Sequence, residues 1–402
     1  MDVSKKKDRV LKSALALFAK KGFSDTSISE IAEVAGMKQT AIYRLFAGKE
    51  DVLFNIPVEK TNEIIESLLD HLEGLKGAEN KLRKAIWHYL NFQENNKDYA
   101  SVIVFELRVN RRFYKSEAYN SFRNYSKIIV DILKEGVDEG VFKKSVNINH
   151  IRNMIFGSFD HLTFGWLLFN KPKSIVAFAD GLFALVYDAI KAKKIDKSAS
   201  ANMGEEGEWI IDKRWLILRV AESIFAKKGY DKTRISDISN ALNIGDATLY
   251  EYFKNKEDIL FTIPSERSKY LMDSLEDELN RKQEAELKLR RFVRHYLAFL
   301  QANEDYSSIL LFELRANKKF YESRAYQDFR KFNRILFGIL KLGQEEGVFQ
   351  TNTDISLCRH MIFGTIDHTV LGWLLFRKPL NLLDQEESLS SIFLDCLNAR
   401  IS

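Results

Sequence analysis

Five side chains that can hydrogen-bond to nucleic acid stand within a span of seven residues. They are Lys38, Gln39, Thr40, Tyr43 and Arg44. Glutamine and arginine can make bidentate contacts to base edges, whereas threonine, tyrosine and lysine can hold phosphates. On one face of a short helix this set would read DNA in the major groove. The alternative interpretation is a solvated helix face with no partner.

The residues before and around this segment predict three short helices with a shared apolar core. Ser27 and Glu30 form a capping box that begins the second helix, and Gly36 stands where a glycine ends it. Pro57 is expected to interrupt or kink the helix that follows the third. The apolar positions of the three helices are Val10, Leu11, Ala14, Leu17, Phe18, Ile28, Ile31, Ala32, Ala35, Ile42, Leu45 and Phe46. Three such helices with a turn near Gly36 indicate a helix-turn-helix.

The chain repeats itself without a gap at a spacing of 207 residues. Residues 18–22 return as residues 225–229, and residues 165–169 return as residues 372–376. A period this long indicates duplication of a domain-sized unit and not a solenoid repeat. Residues 196–208, rich in Ser, Ala, Gly and Glu, are predicted to be a flexible linker that could let the copies pair within one chain. Helical periodicity without a convincing alternating strand predicts an all-α fold.

Residues 18–53 resemble the DNA-binding domain of TetR/AcrR-family regulators. The matching residues are Phe18, Ala19, Gly22, Phe23, Thr26, Ile28, Ile31, Tyr43, Phe46, Lys49, Glu50 and Leu53. The second copy supplies Phe225, Ala226, Gly229, Tyr230, Thr233, Ile235, Ile238, Tyr250, Phe253, Lys256, Glu257 and Leu260. The resemblance implies two tandem TetR-like units. The expected divisions are DNA-binding domains at 1–54 and 209–261, the linker at 196–208, and helical regulatory domains at 55–195 and 262–402.

The resemblance also implies which side chains contact DNA. In the first copy they are Thr26, Ser27, Lys38, Gln39, Thr40, Tyr43, Arg44 and Lys49, and in the second copy Thr233, Arg234, Asp246, Thr248, Tyr250 and Lys256. Thr26, Tyr43 and Lys49 are expected on the phosphate backbone. The alternative is that Tyr43 and Lys49 only support the fold of the domain.

The two copies differ at the helix expected to read DNA. Asp246 and Glu251 stand where the first copy has Gln39 and Arg44. Residues 1–60 carry eleven Lys and Arg against eight Asp and Glu, a net charge of +3, whereas residues 208–267 carry ten of each. Carboxylates near phosphates are repelled, although each can accept a hydrogen bond from a cytosine amine. The second copy is therefore expected to read a different half-site or to bind DNA weakly.

The regulatory halves are expected to bind a small apolar ligand and to pair through their last two helices. Residues 105–119 recur at 312–326 and are similar to regulatory domains of FadR-type members, which implies long-chain acyl-coenzyme A as a candidate ligand. The predicted wall comprises Trp87, Phe92, Phe105, Arg108, Phe122, Arg123, Phe156, Phe159, Phe312, Arg315, Phe329 and Phe363. Arg108 or Arg123 would meet a phosphate at the mouth. The alternative is that these aromatic residues form ordinary core.

Two polar pairs interrupt apolar helical segments, Asp160-His161 and Asp367-His368. Buried polar groups must be satisfied, so ligand binding, pairing across an interface or a metal would each explain them. The favoured interpretation is a hydrogen bond across the interface between the copies. No second His or Cys stands at ligand spacing, so no metal is expected.

Composition narrows the class of protein further. The net charge of +5 permits binding to double-stranded DNA without demanding it, and the two cysteines favour a reducing cytoplasm. No phosphate-binding glycine loop or nucleophile elbow is present, so neither an enzyme nor a cofactor is expected. No apolar run is long enough to span a membrane. Together these features predict a cytoplasmic, ligand-responsive transcriptional regulator, most simply a repressor acting as an intrachain pseudo-dimer or a homodimer. The alternative is an adaptor-like regulator whose second reading head has lost DNA binding.

Overall fold

The computed structural model of the chain describes residues 3–191, 213–279 and 284–398. The prediction of an all-α fold is confirmed. Within those ranges there is no strand, and only two isolated bridges occur, Phe142 with Lys191 and Phe349 with Asn398. The predicted linker, 196–208, lies outside the described residues.

The first copy consists of nine α-helices. Their bounds are α1 Val3–Lys21, α2 Ile28–Val34, α3 Gln39–Tyr43, α4 Lys49–Leu72, α5 Ala78–Asn95, α6 Lys97–Val102, α7 Tyr119–Asp138, α8 Ile148–Phe169 and α9 Ala179–Ile190. A π-helical turn, Ile103–Leu107, continues α6, and short 3-10 turns occupy Phe113–Lys115 and Val176–Phe178.

The second copy repeats this order in its described residues, with one additional short helix. Its helices are α10 Lys213–Lys228, α11 Ile235–Ala241, α12 Asp246–Tyr252, α13 Lys256–Leu279, α14 Ala285–Ala302, α15 Glu304–Ile309, α16 Lys318–Glu322, α17 Arg324–Glu345, α18 Ile355–Phe376 and α19 Glu386–Leu397. The π-helical turn returns at Leu310–Leu314, and a 3-10 turn occupies Leu383–Gln385.

The first three helices of each copy form a small tripod, called here the first head (α1–α3) and the second head (α10–α12). In the first head the predicted capping box is present: the Glu30 backbone N–H donates to the Ser27 hydroxyl at 3.2 Å, and the Ser27 N–H donates to the Glu30 carboxylate at 2.7 Å. Gly36 ends the helix with a φ of 61°, a conformation that favours glycine. These caps fix where α2 begins and ends, and therefore where α3 emerges.

Helix α4 joins the first head to its regulatory body. It runs from Lys49 to Leu72 without a break, through Pro57 and across the predicted boundary at residues 54 and 55. Pro57 therefore does not interrupt the helix, because loss of one backbone donor is tolerated where the packing on both sides is intact: Ile56 and Pro57 are both buried. One continuous helix therefore connects the first head directly to its body.

The two copies pack against each other within one chain through α8, α9, α18 and α19. Helix α8 crosses α18 so closely that a Cβ atom on Gly157 would overlap the backbone carbonyl of Gly364, and a Cβ on Gly364 would overlap Gly157. Close backbone approach of this kind requires glycine on both helices. Helix α9 contacts both α18 and α19. The pairing through the last two long helices of each copy that the sequence predicts is thus built inside the chain.

Candidate DNA interface and ligand cavities

The predicted reading face of the first head is open to solvent. Within α3, Ile42 is fully buried, whereas Tyr43 keeps 54% of its surface exposed. Lys38, Gln39, Thr40 and Arg44 are exposed on the same short helix and its caps. All five predicted side chains of this helix are therefore presented together, on one small convex element that a major groove can accommodate.

Three other predicted DNA-contacting residues of the first head are engaged within it. Thr26 is buried and its hydroxyl donates to the Gly22 carbonyl at 2.8 Å. The Lys49 ammonium donates to the carbonyls of Phe23 and Thr26, both at 2.7 Å, and Ser27 caps α2. These bonds fix the loop between α1 and α2, in agreement with the supporting role that the sequence left open for Lys49. Contact of these residues with phosphate remains a prediction.

The second head repeats this internal bonding. The Thr233 hydroxyl donates to the Gly229 carbonyl at 2.8 Å, and Lys256 donates to the carbonyls of Tyr230 and Thr233 at 2.8 and 2.9 Å. Arg234 and Tyr250 are exposed, while Thr248 and Lys256 are half-buried. The scaffold that supports the reading helix is therefore the same in both heads.

The surface that the second head presents is different. The Ser239 hydroxyl donates to the carboxylate of Asp246 in the first turn of α12, an interaction that Ala32 and Gln39 cannot make in the first head. Glu251, at the position of Arg44, is exposed. The second reading helix thus offers negative charge where the first offers an amide and a guanidinium.

The helices of the first regulatory body enclose a cavity of about 610 Å³, called here the first cavity. Four predicted ligand residues line it, Arg108, Phe122, Arg123 and Phe156. The structure adds residues that the sequence did not single out, among them Thr61, Tyr89, Gln93, Tyr99, Tyr119, Tyr125 and Arg152. Many of these residues have the same residue type 207 positions later. This recurrence was the signal in the sequence that could have identified them as wall residues.

Four other predicted ligand residues of the first copy lie outside this wall. Phe159 is fully buried and stacks on Tyr89 with ring centroids 4.2 Å apart, so it supports the wall from behind. Phe92 packs on Tyr99, and Phe105 packs on Phe164. Trp87 lies near His71 and the ammonium of Lys84. The prediction that Trp87, Phe92, Phe105 and Phe159 form the wall is corrected, because helical periodicity identifies apolar positions but not whether a void or another helix faces them.

The second copy contains an equivalent cavity of about 600 Å³, the second cavity. Arg315, Phe329 and Phe363 line it as predicted. Phe312 does not, because its ring lies 4.6 Å beneath the guanidinium of Arg111 from the first copy. The prediction for Phe312 is therefore corrected to an inter-copy contact.

Each cavity is completed by residues of the other copy. In the first cavity, Phe376 from α18 stacks on Tyr119 with centroids 6.3 Å apart, and Lys378 stands at the exposed edge. In the second cavity, Phe169 stacks on Tyr326 at 6.1 Å, and Lys171 takes the place of Lys378. Sequence reasoning missed this sharing. A ligand in either cavity would therefore touch both copies at once.

The two Asp-His pairs hold the copies together across the same interface. The Nε2 atom of His368 lies 2.8 Å from Asp160 Oδ2, and Nε2 of His161 lies 2.8 Å from Asp367 Oδ2. The interpretation of these pairs as an inter-copy hydrogen bond is confirmed. Arg108 adds an ion pair to Asp160 at 3.2 Å. Burial alone would raise the pKa of Asp160, but the charge of Arg108 and the His368 bond hold it below its usual range.

The π-helical turn of the first copy and the residues directly after it contact both the first cavity and the heads. Arg108 lines the first cavity, while Glu106, two residues earlier, accepts a hydrogen bond from the Phe23 backbone of the first head. Burial raises the pKa of Glu106 to about 7. Arg111 donates to the Ala226 carbonyl of the second head at 2.8 Å. One short stretch of chain therefore contacts the cavity wall and both heads.

Comparison with protein families matches both halves of each copy. The model for bacterial regulatory proteins of the tetR family matches residues 10–56 and 217–263. The model for the C-terminal region of YsiA-like proteins matches residues 58–189 and 265–396. The chain belongs to the TetR family of transcriptional regulators, and it carries both family regions twice in tandem.

Two curated relatives each match a length of about one copy. The fatty acid metabolism regulator protein of Bacillus subtilis is 30% identical over 167 residues, which is 42% of this chain and 86% of that protein. The transcriptional repressor KstR2 of Mycobacterium tuberculosis is 26% identical over 165 residues, covering 38% of this chain and 77% of the repressor. Both relatives are regulators by name, and KstR2 is named a transcriptional repressor.

Solved structures give similar single-copy matches. FadR from Bacillus halodurans, a fatty acid degradation regulator, is 27% identical, with a TM-score of 0.44 and coverage of 46% of this chain and 97% of its own. FadR from Bacillus subtilis in complex with stearoyl-CoA is 29% identical, with a TM-score of 0.41 and coverage of 45% and 98%. Among the helices in the described part of this chain, none is both long and apolar enough to cross a membrane.

Proposed function

We propose that the chain is a ligand-responsive repressor in which two non-identical heads, 1–54 and 209–261, are carried by two regulatory bodies, 55–195 and 262–402, and bind DNA as an intrachain pseudo-dimer. The observation that carries the proposal is the sharing of each cavity between the copies, as in the stacking of Phe376 on Tyr119. Whatever occupies a cavity must act on the packing that positions both heads.

The cavities favour a ligand with a long apolar chain and an anionic group. Aromatic rings such as Phe122 and Phe156 line the interior of the first cavity. Arg123 and Lys378 are exposed at its edge, and Arg152 is half-buried there. Mostly apolar pockets with a few placed charges are typical of ligand sites, and guanidinium groups suit phosphates. A long-chain acyl-coenzyme A combines both features, and the relative named a fatty acid metabolism regulator supports this class.

Release from DNA follows as a population shift. For release, the ligand needs only to bind more tightly to an arrangement in which the two heads do not fit successive major grooves, which are about 34 Å apart. Movement of Arg108 on ligand binding would be transmitted to the Phe23 backbone through Glu106 and to the second head through Arg111. Ligand binding and DNA binding would then oppose each other.

The proposal is tested by measuring DNA affinity against salt and ligand with the full chain. We expect a particle near 46.7 kDa by native mass spectrometry, bound to DNA with an affinity that falls steeply with salt, as phosphate contacts require. Stearoyl-coenzyme A should release it. A flat salt dependence would exclude DNA reading, and unchanged affinity at saturating stearoyl-coenzyme A would exclude that ligand class.

The asymmetry of the heads is tested by matched alanine substitutions on one DNA fragment. Arg44→Ala should weaken binding about tenfold or more, as expected for loss of a base or phosphate contact. Glu251→Ala should leave the affinity unchanged or increase it. Equal weakening by both substitutions would show that the two heads read DNA in the same way.

A second candidate function is an adaptor-like regulator whose second head does not bind DNA. The exposed carboxylate of Glu251 and the internally bonded Asp246 favour it. In that case only the first head would protect DNA, and the footprint of the full chain would cover a single half-site.

A further inference from the structure

The two cavities differ at two buried positions that the duplication places in register. Gln93 and Tyr125 line the first cavity, and each side chain is buried, with only 3% of its surface exposed. The second copy has Leu300 and Phe332 at these positions, both buried. The walls of the two cavities therefore carry different hydrogen-bonding capacity in their interiors.

The oxygen atoms of both side chains are buried without a partner. Within the described residues, Oε1 of Gln93 and the hydroxyl of Tyr125 find no hydrogen-bond partner. The Gln93 side chain forms a hydrogen bond with the Tyr89 hydroxyl, and the rings of Tyr89 and Tyr125 lie 5.5 Å apart, so both side chains are neighbours of Tyr89. Native proteins rarely leave buried polar atoms unpaired, and such atoms in a ligand cavity indicate a missing partner.

The same region of the second copy is closed by aromatic rings. Phe332 stacks on Phe292 with centroids 5.3 Å apart and lies 5.0 Å from Tyr296. The position of Phe292 is Ala85 in the first copy, which contributes no ring. The second cavity is lined instead by Leu310, Leu311 and Leu314 of the π-helical turn. Of its two histidines, His161 is already bonded to the carboxylate of Asp367.

We propose that the first cavity selects a ligand that carries a hydroxyl group on its buried chain, whereas the second cavity selects a plain hydrocarbon chain. A hydroxyl can donate to the Gln93 carbonyl oxygen and accept from the Tyr125 phenol, which no methylene can do. Burial raises the pKa of Tyr125 well above its usual value, so the phenol stays protonated and able to donate. The inference rests on the proposed function, since it concerns the chemistry of that same ligand.

The test compares stearoyl-coenzyme A with hydroxystearoyl-coenzyme A isomers that carry the hydroxyl at different carbons. Calorimetric titration of the full chain should resolve one site that binds one isomer about tenfold more tightly than the plain probe, as expected for hydrogen bonds gained. The double variant Gln93→Leu, Tyr125→Phe copies the second cavity and should weaken binding of that isomer more than binding of stearoyl-coenzyme A, so that the preference is lost. Tyr252→Phe, which removes a half-buried phenol that lines neither cavity, is the control and should keep the preference.

Each outcome decides the inference. Equal affinity for all probes in the unmodified chain, or a preference that survives the double variant, would overturn the inference and leave the proposed function standing. Absence of binding by every probe would overturn the proposed ligand class and the inference with it. If the double variant does not fold, Tyr125→Phe alone must reduce the preference, because it removes a single oxygen atom; an unchanged preference there would also overturn the inference.

Discussion

The two heads share one scaffold but differ in how they join their bodies. In the second copy, Glu222 of α10 and Arg267 of α13 form a bidentate ion pair, with distances of 2.9 and 2.6 Å and side chains only 7% and 4% exposed. The Arg267 guanidinium also lies 4.9 Å above the Trp215 ring. The first copy has Leu15 and Lys60 at the positions of the ion pair.

The internal bonding of the heads is the same in both copies, whereas the joint and the reading surface both differ. Lys60 instead forms a pair with Glu63 on the surface of α4, where such pairs contribute little. The basic, exposed reading face therefore sits on the head whose joint lacks this buried ion pair. The acidic reading face sits on the head that a buried ion pair fixes to its body.

The largest expected effect comes from breaking the buried ion pair. Arg267→Ala should destabilise the second copy by about 3–5 kcal/mol, because it leaves the Glu222 carboxylate buried without its partner. The double variant Glu222→Leu, Arg267→Lys, which copies the first joint, should recover most of this loss. Urea unfolding measures both. Lys60→Ala is the control in the first copy and should change stability by less than about 0.5 kcal/mol; a similar loss there would contradict the comparison.

The next effect concerns the interface that carries both heads. Gly157→Ala should cost about 1–3 kcal/mol and loosen the packing of α8 on α18, because the added methyl group overlaps the Gly364 carbonyl. Thermal unfolding and small-angle scattering would show a lower melting temperature and a larger radius. Gly338→Ala, whose Cβ would meet no atom within 4 Å, should instead be neutral or stabilising. If both glycines respond alike, close approach of the helices is not the cause.

A graft of the first reading face onto the second head sharpens the comparison. Asp246→Gln with Glu251→Arg should strengthen DNA binding about tenfold and steepen its salt dependence, since it replaces two carboxylates with an amide and a guanidinium. Fluorescence anisotropy against a labelled fragment measures the change. The double variant Asp273→Gln, Glu322→Arg alters exposed residues by the same charge elsewhere. An equal gain in that control would mean that net charge, and not the reading helix, governs affinity.

The smallest effect is a pH dependence at the contact between the first head and its body. The pKa of Glu106 is raised to about 7 in the folded protein, so the folded state holds this proton more tightly than the unfolded chain does. This contribution to stability is present at low pH and is lost as pH rises through about 7. Glu106→Gln should remove that loss, giving a gain of about 1 kcal/mol at pH 8 and none near pH 4. The exposed Glu117→Gln should show no such pH dependence in thermal unfolding.

Much of the heads could be predicted from local sequence alone. The capping box of Ser27 and Glu30, the terminating Gly36 and the apolar spacing of α1 to α3 depend on contacts between near neighbours, so residue spacing reports them. The exposure of Gln39 and Arg44 follows from the burial of Ile42 on the same short helix. The roles of Thr26 and Lys49 were harder to predict from the sequence, because a donor can bind a phosphate or a nearby carbonyl equally well.

The all-α class, the duplication and the divergence of the two reading helices could be predicted from the sequence alone, because residue types and their periods report each of them. The three-dimensional packing was needed to establish which residues enclose each cavity and which copy completes it. Phe159 and Phe156 share one helix and one apolar character, yet only Phe156 lines the void. Tyr119 meets Phe376, and Asp160 meets His368, because α8 and α18 cross at two glycines, and no local pattern encodes such long-range contacts.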